Sequence, residues 1–109
     1  MSNPYYNLGR MLPEVTPDIY TAEQTAIDPP YRIIIHNDDV TPMDFVVHVL
    51  LQIFFLSTPE AMDVMYTAHY LGAAYVQTCG KSEAEKRVAR AHFAAGLEGY
   101  PLHFSIEKE

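Results

Sequence analysis

The 109-residue chain has little cysteine, few bases and no long apolar run. Its single cysteine, Cys79, excludes an internal disulfide framework and suits a reducing compartment. Seven Lys and Arg stand against fourteen Asp and Glu, giving a formal net charge of −7. That balance argues against nucleic acid as a partner, because neutralising phosphates requires clustered bases. No apolar stretch approaches the roughly 18 residues of a membrane span, and Met1 to Leu12 has no basic region followed by an apolar one. Neither a membrane span nor a signal peptide is expected, and the reading is a cytoplasmic protein.

What is present divides unevenly along the chain. Residues 1–30 hold five of the eight prolines, one base (Arg10) and four acids (Glu14, Asp18, Glu23, Asp28). No apolar run there exceeds two residues. Such a segment cannot bury enough surface to offset its ordering entropy, so residues 1–30 are read as a flexible N-terminal tail. Residues 31–109 remain for one compact domain, small but within the range that folds alone.

In the domain, Arg32 to His36 reads as a strand that runs into a polar cluster, His36-Asn37-Asp38-Asp39. Thr41-Pro42-Met43-Asp44 then reads as a helix start, with Thr41 as cap and Pro42 at the first helical position. The helix to about Phe55 is apolar around most of its circumference, its polar stripe being only Asp44, His48 and Gln52. Part of it must therefore line a groove or meet a partner. Ser57-Thr58-Pro59-Glu60 opens a second helix, to about Tyr70, with Gly72 as a left-handed terminator. A strand from Ala74 to Cys79 and a turn at Gly80 follow. Ser82-Glu83-Ala84-Glu85 reads as a further capping box for a helix to about Gly96, and Leu102 to Glu107 alternates as a one-faced strand. The order β-α-α-β-α-β predicts an α+β fold, three helices on a small, largely antiparallel three-stranded sheet.

The residues able to carry chemistry are few. Five histidines (His36, His48, His69, His92, His103) fall in five different elements without metal-ligand spacing, so no metal or other cofactor is expected. Ser57 and Ser82 are accounted for as caps, and Cys79 as an inert core thiol. Asn37, Asp38 and Asp39 have an ordinary explanation as turn formers, yet the loop has no glycine and the next helix has Thr41 as its cap. Three acceptors thus remain beside an apolar helix, an arrangement suited to a cation. His69 shares a helical stripe with Met62, Met65 and Ala68, which alone would read as core. Lys81, Lys86, Arg87 and Arg90 make up more than half of the bases, and Glu83 can pair with Arg87 at i,i+4. A solvated face is the plain explanation for them, and an acidic patch on a partner protein the functional one.

Taken together, HNDDVTPMDFVVHVL, STPEAMDVMYTAHYLG, SEAEKRVARAH and GYPLHFSIEKE resemble the ClpS family over about residues 31–108. The family's members are adaptors of Clp AAA+ unfoldases. The resemblance implies an adaptor, not an enzyme, that binds N-terminal bulky hydrophobic residues (Leu, Phe, Tyr, Trp) of substrate proteins and delivers them to an unfoldase for degradation. It implies that Asn37, Asp38 and His69 receive the substrate's free α-amine, with Asp39 and Thr41 bordering the site. Met43, Val46, Met65, Ala68 and Leu102 would wall the pocket for the first side chain. Glu83 and Arg87 would dock on the N-terminal domain of the unfoldase, ClpA-like or ClpC-like, and the adaptor itself is expected to be monomeric. The tail would trigger delivery.

Three departures from the family pattern are evident. Tyr70 replaces a second histidine, Ala68 is smaller than usual, and Ser82 stands where some relatives carry an acid. Two other readings remain: an unfoldase-binding regulatory domain without degron recognition, and a small hydrolase using Asp38 with His69.

Overall fold

A computed structural model describes residues 28–109; the expected tail therefore lies, up to residue 27, outside the described residues. The elements are β1 (Pro30–His36), α1 (Met43–Gln52), α2 (Thr58–Leu71), β2 (Ala73–Gly80), α3 (Lys81–Glu98) and β3 (His103–Lys108). This is the expected order and class. The sheet runs β2-β1-β3, with both neighbours antiparallel to the central strand.

Strand alternation decides what is buried. Ile33 and Ile35 are fully enclosed, while Ile34 between them is only half-buried. The core joins these two to Val49 and Leu50 of α1, Phe54, and Phe104 of β3. The Phe54 and Phe104 rings stack with centroids 4.8 Å apart. Helix α3 contributes only alanines to the fully buried set, Ala84, Ala91 and Ala95. Their small side chains let the helix lie close against its neighbours.

Only one of the three expected helix caps forms. Ser57 Oγ accepts from the Glu60 N–H, and Glu60 returns a carboxylate oxygen to the Ser57 N–H, completing a capping box. Gly72 closes α2 in the left-handed region, φ 94°, as its sequence position suggests. Thr41, by contrast, does not cap α1. Pro42 is the N-cap residue, and the Thr41 hydroxyl donates instead to Asp38. Ser82 does not cap α3 either, because β2 passes straight into the helix at Gly80.

Help for α3 comes from outside it. Asp28 Oδ1 accepts from the Ser82 N–H at 2.6 Å, and the Pro29 carbonyl from the Lys81 N–H at 2.9 Å. A Cβ at position 80 would meet the Asp28 carboxylate, so any larger residue there would have to displace that side chain from its bond to Ser82. Asp28 and Pro29, read from sequence as tail, thus contact the folded unit, and β1 starts at Pro30, ahead of the expected Arg32.

Helix α1 is also shorter than its apolar run predicts. It ends at Gln52, and the chain turns through Phe55 with φ 58°. The Leu56 N–H then closes the turn on the Leu50 carbonyl at 3.1 Å.

Candidate functional site

The end of β1, the loop after it, the start of α1, the middle of α2 and Leu102 enclose a cavity of about 320 Å³. That is the small end of the range for small-molecule sites. Two of its walls are joined by one backbone bond. The Asn37 N–H donates to the Gly72 carbonyl at 3.0 Å. The left-handed turn at Gly72 thereby ties the polar loop to the end of the helix that carries His69.

All ten residues expected at the site line this one cavity: Asn37, Asp38, Asp39, Thr41, Met43, Val46, Met65, Ala68, His69 and Leu102. Burial sorts them. Met65, Ala68 and Leu102 are buried and form the floor, whereas Asn37, Asp39 and His69 are exposed at the mouth. Met43 is 42% exposed, and Val46 beside it is half-buried. The unusual apolarity of α1 is partly explained here, since Met43 and Val46 face the cavity and Phe45 packs edge-on against Tyr100 at 4.9 Å.

Asp38 has a local duty that the sequence reading did not assign. Its Oδ1 accepts from the Val40 N–H at 2.8 Å and the Thr41 N–H at 2.7 Å, and its Oδ2 accepts from the Thr41 hydroxyl at 2.9 Å. Partial burial alone would push its carboxyl up. The bonds from Thr41 and Val40 outweigh it and hold the pKa below 3.8. Asp38 is therefore an ionised brace of the loop. A carboxylate has about four acceptor positions, so one remains, together with the charge. Among the described residues, the side chains of Asn37 and His69 make no hydrogen bond, and none links Asp38 to His69. Asn37 and His69 keep their acceptors available; an Asp38–His69 acid–base pair is not assembled.

Four lining residues were missed: Ile35, His36, Val40 and Pro42. Strand alternation could have placed Ile35, which points inward two residues before Asn37. His36 ends the expected strand and opens the polar cluster, but nothing in its pattern marks it as a lining residue. Its Nε2 lies 2.7 Å from Ser105 Oγ, and its ring lies 5.2 Å from that of His103. His103 in turn stacks on His92 at 5.4 Å. This stack is a fold contact; among the described residues no group of three His, Cys, Asp or Glu is placed to hold a metal ion.

Glu83 and Arg87 are not among the cavity residues; they pair on α3, Arg87 Nε donating to Glu83 Oε2 at 2.9 Å. Cys79 is half-buried, and burial, ahead of the opposing pull of Arg87, pushes its thiol pKa above 9.0, away from thiolate chemistry. No helix among the described residues is long and apolar enough to cross a membrane.

Comparison with known proteins identifies the family. The family described as "ATP-dependent Clp protease adaptor protein ClpS" matches residues 26–105. ClpS 2 of Mesorhizobium japonicum is 40% identical over 99 residues, covering 85% of this chain and 98% of that protein. The ClpS adapter of Oleidesulfovibrio alaskensis is 38% identical over 91 residues, covering 84% and 88%. Among solved structures, Agrobacterium tumefaciens ClpS2 bound to L-phenylalaninamide superposes with a TM-score of 0.71 at 38% identity, over 73% of this chain and 96% of that one. By its sequence and its fold, this chain belongs to the ClpS family, adaptors of the ATP-dependent Clp protease.

Proposed function

We propose that the cavity grips the first residue of a substrate protein, a Leu, Phe, Tyr or Trp with a free α-amine, and that the chain presents it to a Clp AAA+ unfoldase. The observation that carries this reading is the sorting of one cavity into a polar mouth and an apolar floor. An α-ammonium has three donors and one charge. Asn37 Oδ1, a His69 nitrogen and the remaining acceptor of Asp38 supply three acceptors, and the Asp38 carboxylate compensates the charge. Asp39 and Thr41 border them. The buried floor of Met65, Ala68 and Leu102, with Met43 and Val46 at the side, suits the apolar side chain that follows. Ala68 leaves depth for an aromatic ring. The amino-acid amide bound by the Agrobacterium relative also has a free α-amine and no preceding residue, which supports the reading.

The magnitudes are compatible with reversible capture. Charge-assisted bonds contribute roughly 1.5–3 kcal/mol each, and burying the side chain about 1.5–3 kcal/mol. After association costs, a dissociation constant near micromolar, about −8 kcal/mol, follows. Docking on the unfoldase's N-terminal domain belongs to α3 in this reading, where Glu83 and Arg87 lie, with the adaptor acting as a cytoplasmic monomer.

Calorimetric titration with Phe-initiated, acetyl-Phe-initiated and Gly-initiated peptides tests the site. Acetylation removes the charge and two of the three donors that the acceptors at the mouth would meet, so binding should weaken by about 100-fold or more. Equal affinity for the free and acetylated Phe peptides would sink the reading. Binding of the unfoldase without any of the peptides would leave a regulatory domain in its place, and hydrolysed peptide in the same cells would point to an enzyme.

A further inference from the structure

We infer that Phe55, seated against Arg87, is the apolar anchor of a docking surface for an acidic face of the unfoldase partner. This rests on the adaptor reading above and extends its docking half. Among the described residues Phe55 is the one non-glycine residue with positive φ, 58°, and its side chain is 67% exposed. A left-handed backbone is unfavourable for an L residue, and an aromatic ring in water forgoes its burial. The fold maintains both at one position, and such strain persists only where the surroundings over-determine it.

The surroundings do so from two sides. The Arg87 guanidinium lies over the ring, 5.1 Å from its centroid. Its Nε donates to Glu83 Oε2 at 2.9 Å, and its Nη1 donates to Gln77 Oε1 at 2.8 Å. Gln77 Nε2 donates in turn to the carbonyl of Phe54, the residue before the ring, at 2.9 Å. Backbone and guanidinium are thus fixed by the same glutamine. A ring held in place before contact loses less freedom on association, and aromatic and arginine side chains dominate the energetic centres of interfaces.

Charge identifies the occupant. Glu83, Lys86, Arg87 and Arg90 fall at i, i+3, i+4 and i+7, one face of α3. Glu83 and Arg87 satisfy each other, whereas Lys86 and Arg90 are exposed and have no ion-pair partner among the described residues. Helix α3 carries four of the seven bases of a chain whose net charge is −7. The complement is a protein surface with an apolar cup for Phe55 and carboxylates around it for Lys86 and Arg90. Arg87 becomes a positioning residue for the ring rather than a free docking charge.

The test uses the full chain against the isolated N-terminal domain of a Clp unfoldase, with a Phe-initiated peptide titrated in parallel. Phe55→Gly removes the ring and relieves the left-handed backbone. It should leave the melting temperature no lower and the peptide affinity unchanged, and weaken unfoldase binding by about tenfold or more. Phe55→Tyr keeps the ring and should restore binding. Arg87→Lys keeps the charge but loses the fork to Glu83 and Gln77, and should also weaken binding.

Wild-type affinity in Phe55→Gly would overturn the anchor and leave the adaptor reading intact. A wild-type chain that binds peptide but not the unfoldase domain would remove the docking reading and the anchor together. Loss, in Phe55→Gly, of wild-type binding to phosphatidylserine vesicles would assign the patch to a membrane and equally overturn it.

Discussion

At its N-terminal end α1 follows a loop that Asp38 braces with three hydrogen bonds, and no residue there has a positive φ. At its C-terminal end the chain turns through Phe55 in the left-handed region, with an aromatic ring in solvent. The first end uses a charged side chain to shape a concave site and keeps its backbone relaxed. The second uses backbone strain to present a convex one. The difference separates two kinds of functional residue. At the cavity, the bracing by Asp38 is separable from the proposed ligand contacts of Asn37 and His69, although Asp38 itself takes part in both. At Phe55, a single residue is asked to do both.

Alanine substitutions at the cavity give the sharpest test of that separation. Asp38→Ala removes acceptors from two backbone N–H groups and one hydroxyl, and should destabilise the domain by roughly 2–4 kcal/mol as well as abolish peptide capture. Asp38→Asn retains one acceptor oxygen and should cost less stability. Asn37→Ala and His69→Ala, whose side chains make no hydrogen bond among the described residues, should weaken peptide binding while changing stability by no more than about 0.5 kcal/mol. Thermal melts paired with peptide titrations read both quantities. If Asn37→Ala melts as early as Asp38→Ala, shaping and contact are not separable at this loop.

The same contrast explains how much of the molecule was legible. Element order, the antiparallel sheet and the Ser57 box follow from patterns of three to five residues, short enough for local physics to decide. Thr41 and Ser82 carry the same cap signals and do not cap, because Asp38 takes the hydroxyl of one and the backbone at Ser82 turns to Asp28, 54 positions away. The first partner is local, a turn-forming Asp three residues back that competes for the hydroxyl, whereas nothing local announces the second. Asn37, Asp38 and Asp39 stood out by their chemistry and the full set of ten through resemblance to a family, whereas their neighbour Val40 belongs to the same loop and carries no chemical signal of its own. Phe55 was unreadable for a related reason. A left-handed turn is written in glycine or asparagine, and an apolar run ending in phenylalanine looks like more helix.

A smaller effect is expected at Met43, which stands between the two situations, lining the cavity yet 42% exposed. In the proposed reading, its flexible side chain at the start of α1 would crowd a first residue branched at Cβ. Met43→Ala should raise affinity for Ile- and Val-initiated peptides by about tenfold, near 1.4 kcal/mol, with Leu and Phe peptides little changed. The domain should remain as stable, because the residue contributes little to the core. Undiminished discrimination against Ile in the variant would make Met43 a packing residue only.

The smallest effect concerns pH, and it comes from a group outside both ends of α1. His92 on α3 accepts the Phe104 N–H at its Nε2, 3.0 Å away, so that nitrogen carries no proton in the folded chain. Burial first, and the neighbouring His103 second, hold its pKa below 6.5. The unfolded chain therefore binds the proton more tightly. The stabilisation is complete above about pH 6.5 and is lost as pH falls from there through the lower folded value. Asp38 behaves with the same sign in a separate window, since its pKa is also depressed and its contribution is lost only below about 3.8. Melting temperature should accordingly decline in two steps on acidification, the first near the histidine range. His92→Gln, which offers a carbonyl in place of Nε2 and does not titrate, should flatten the first step and leave the second untouched. Because Phe104 lies two residues from Leu102 in the cavity floor, the first step should also loosen peptide binding slightly in the wild type and not in the variant. A first step of equal size in both proteins would place the titrating group elsewhere and release the cavity floor from any link to His92.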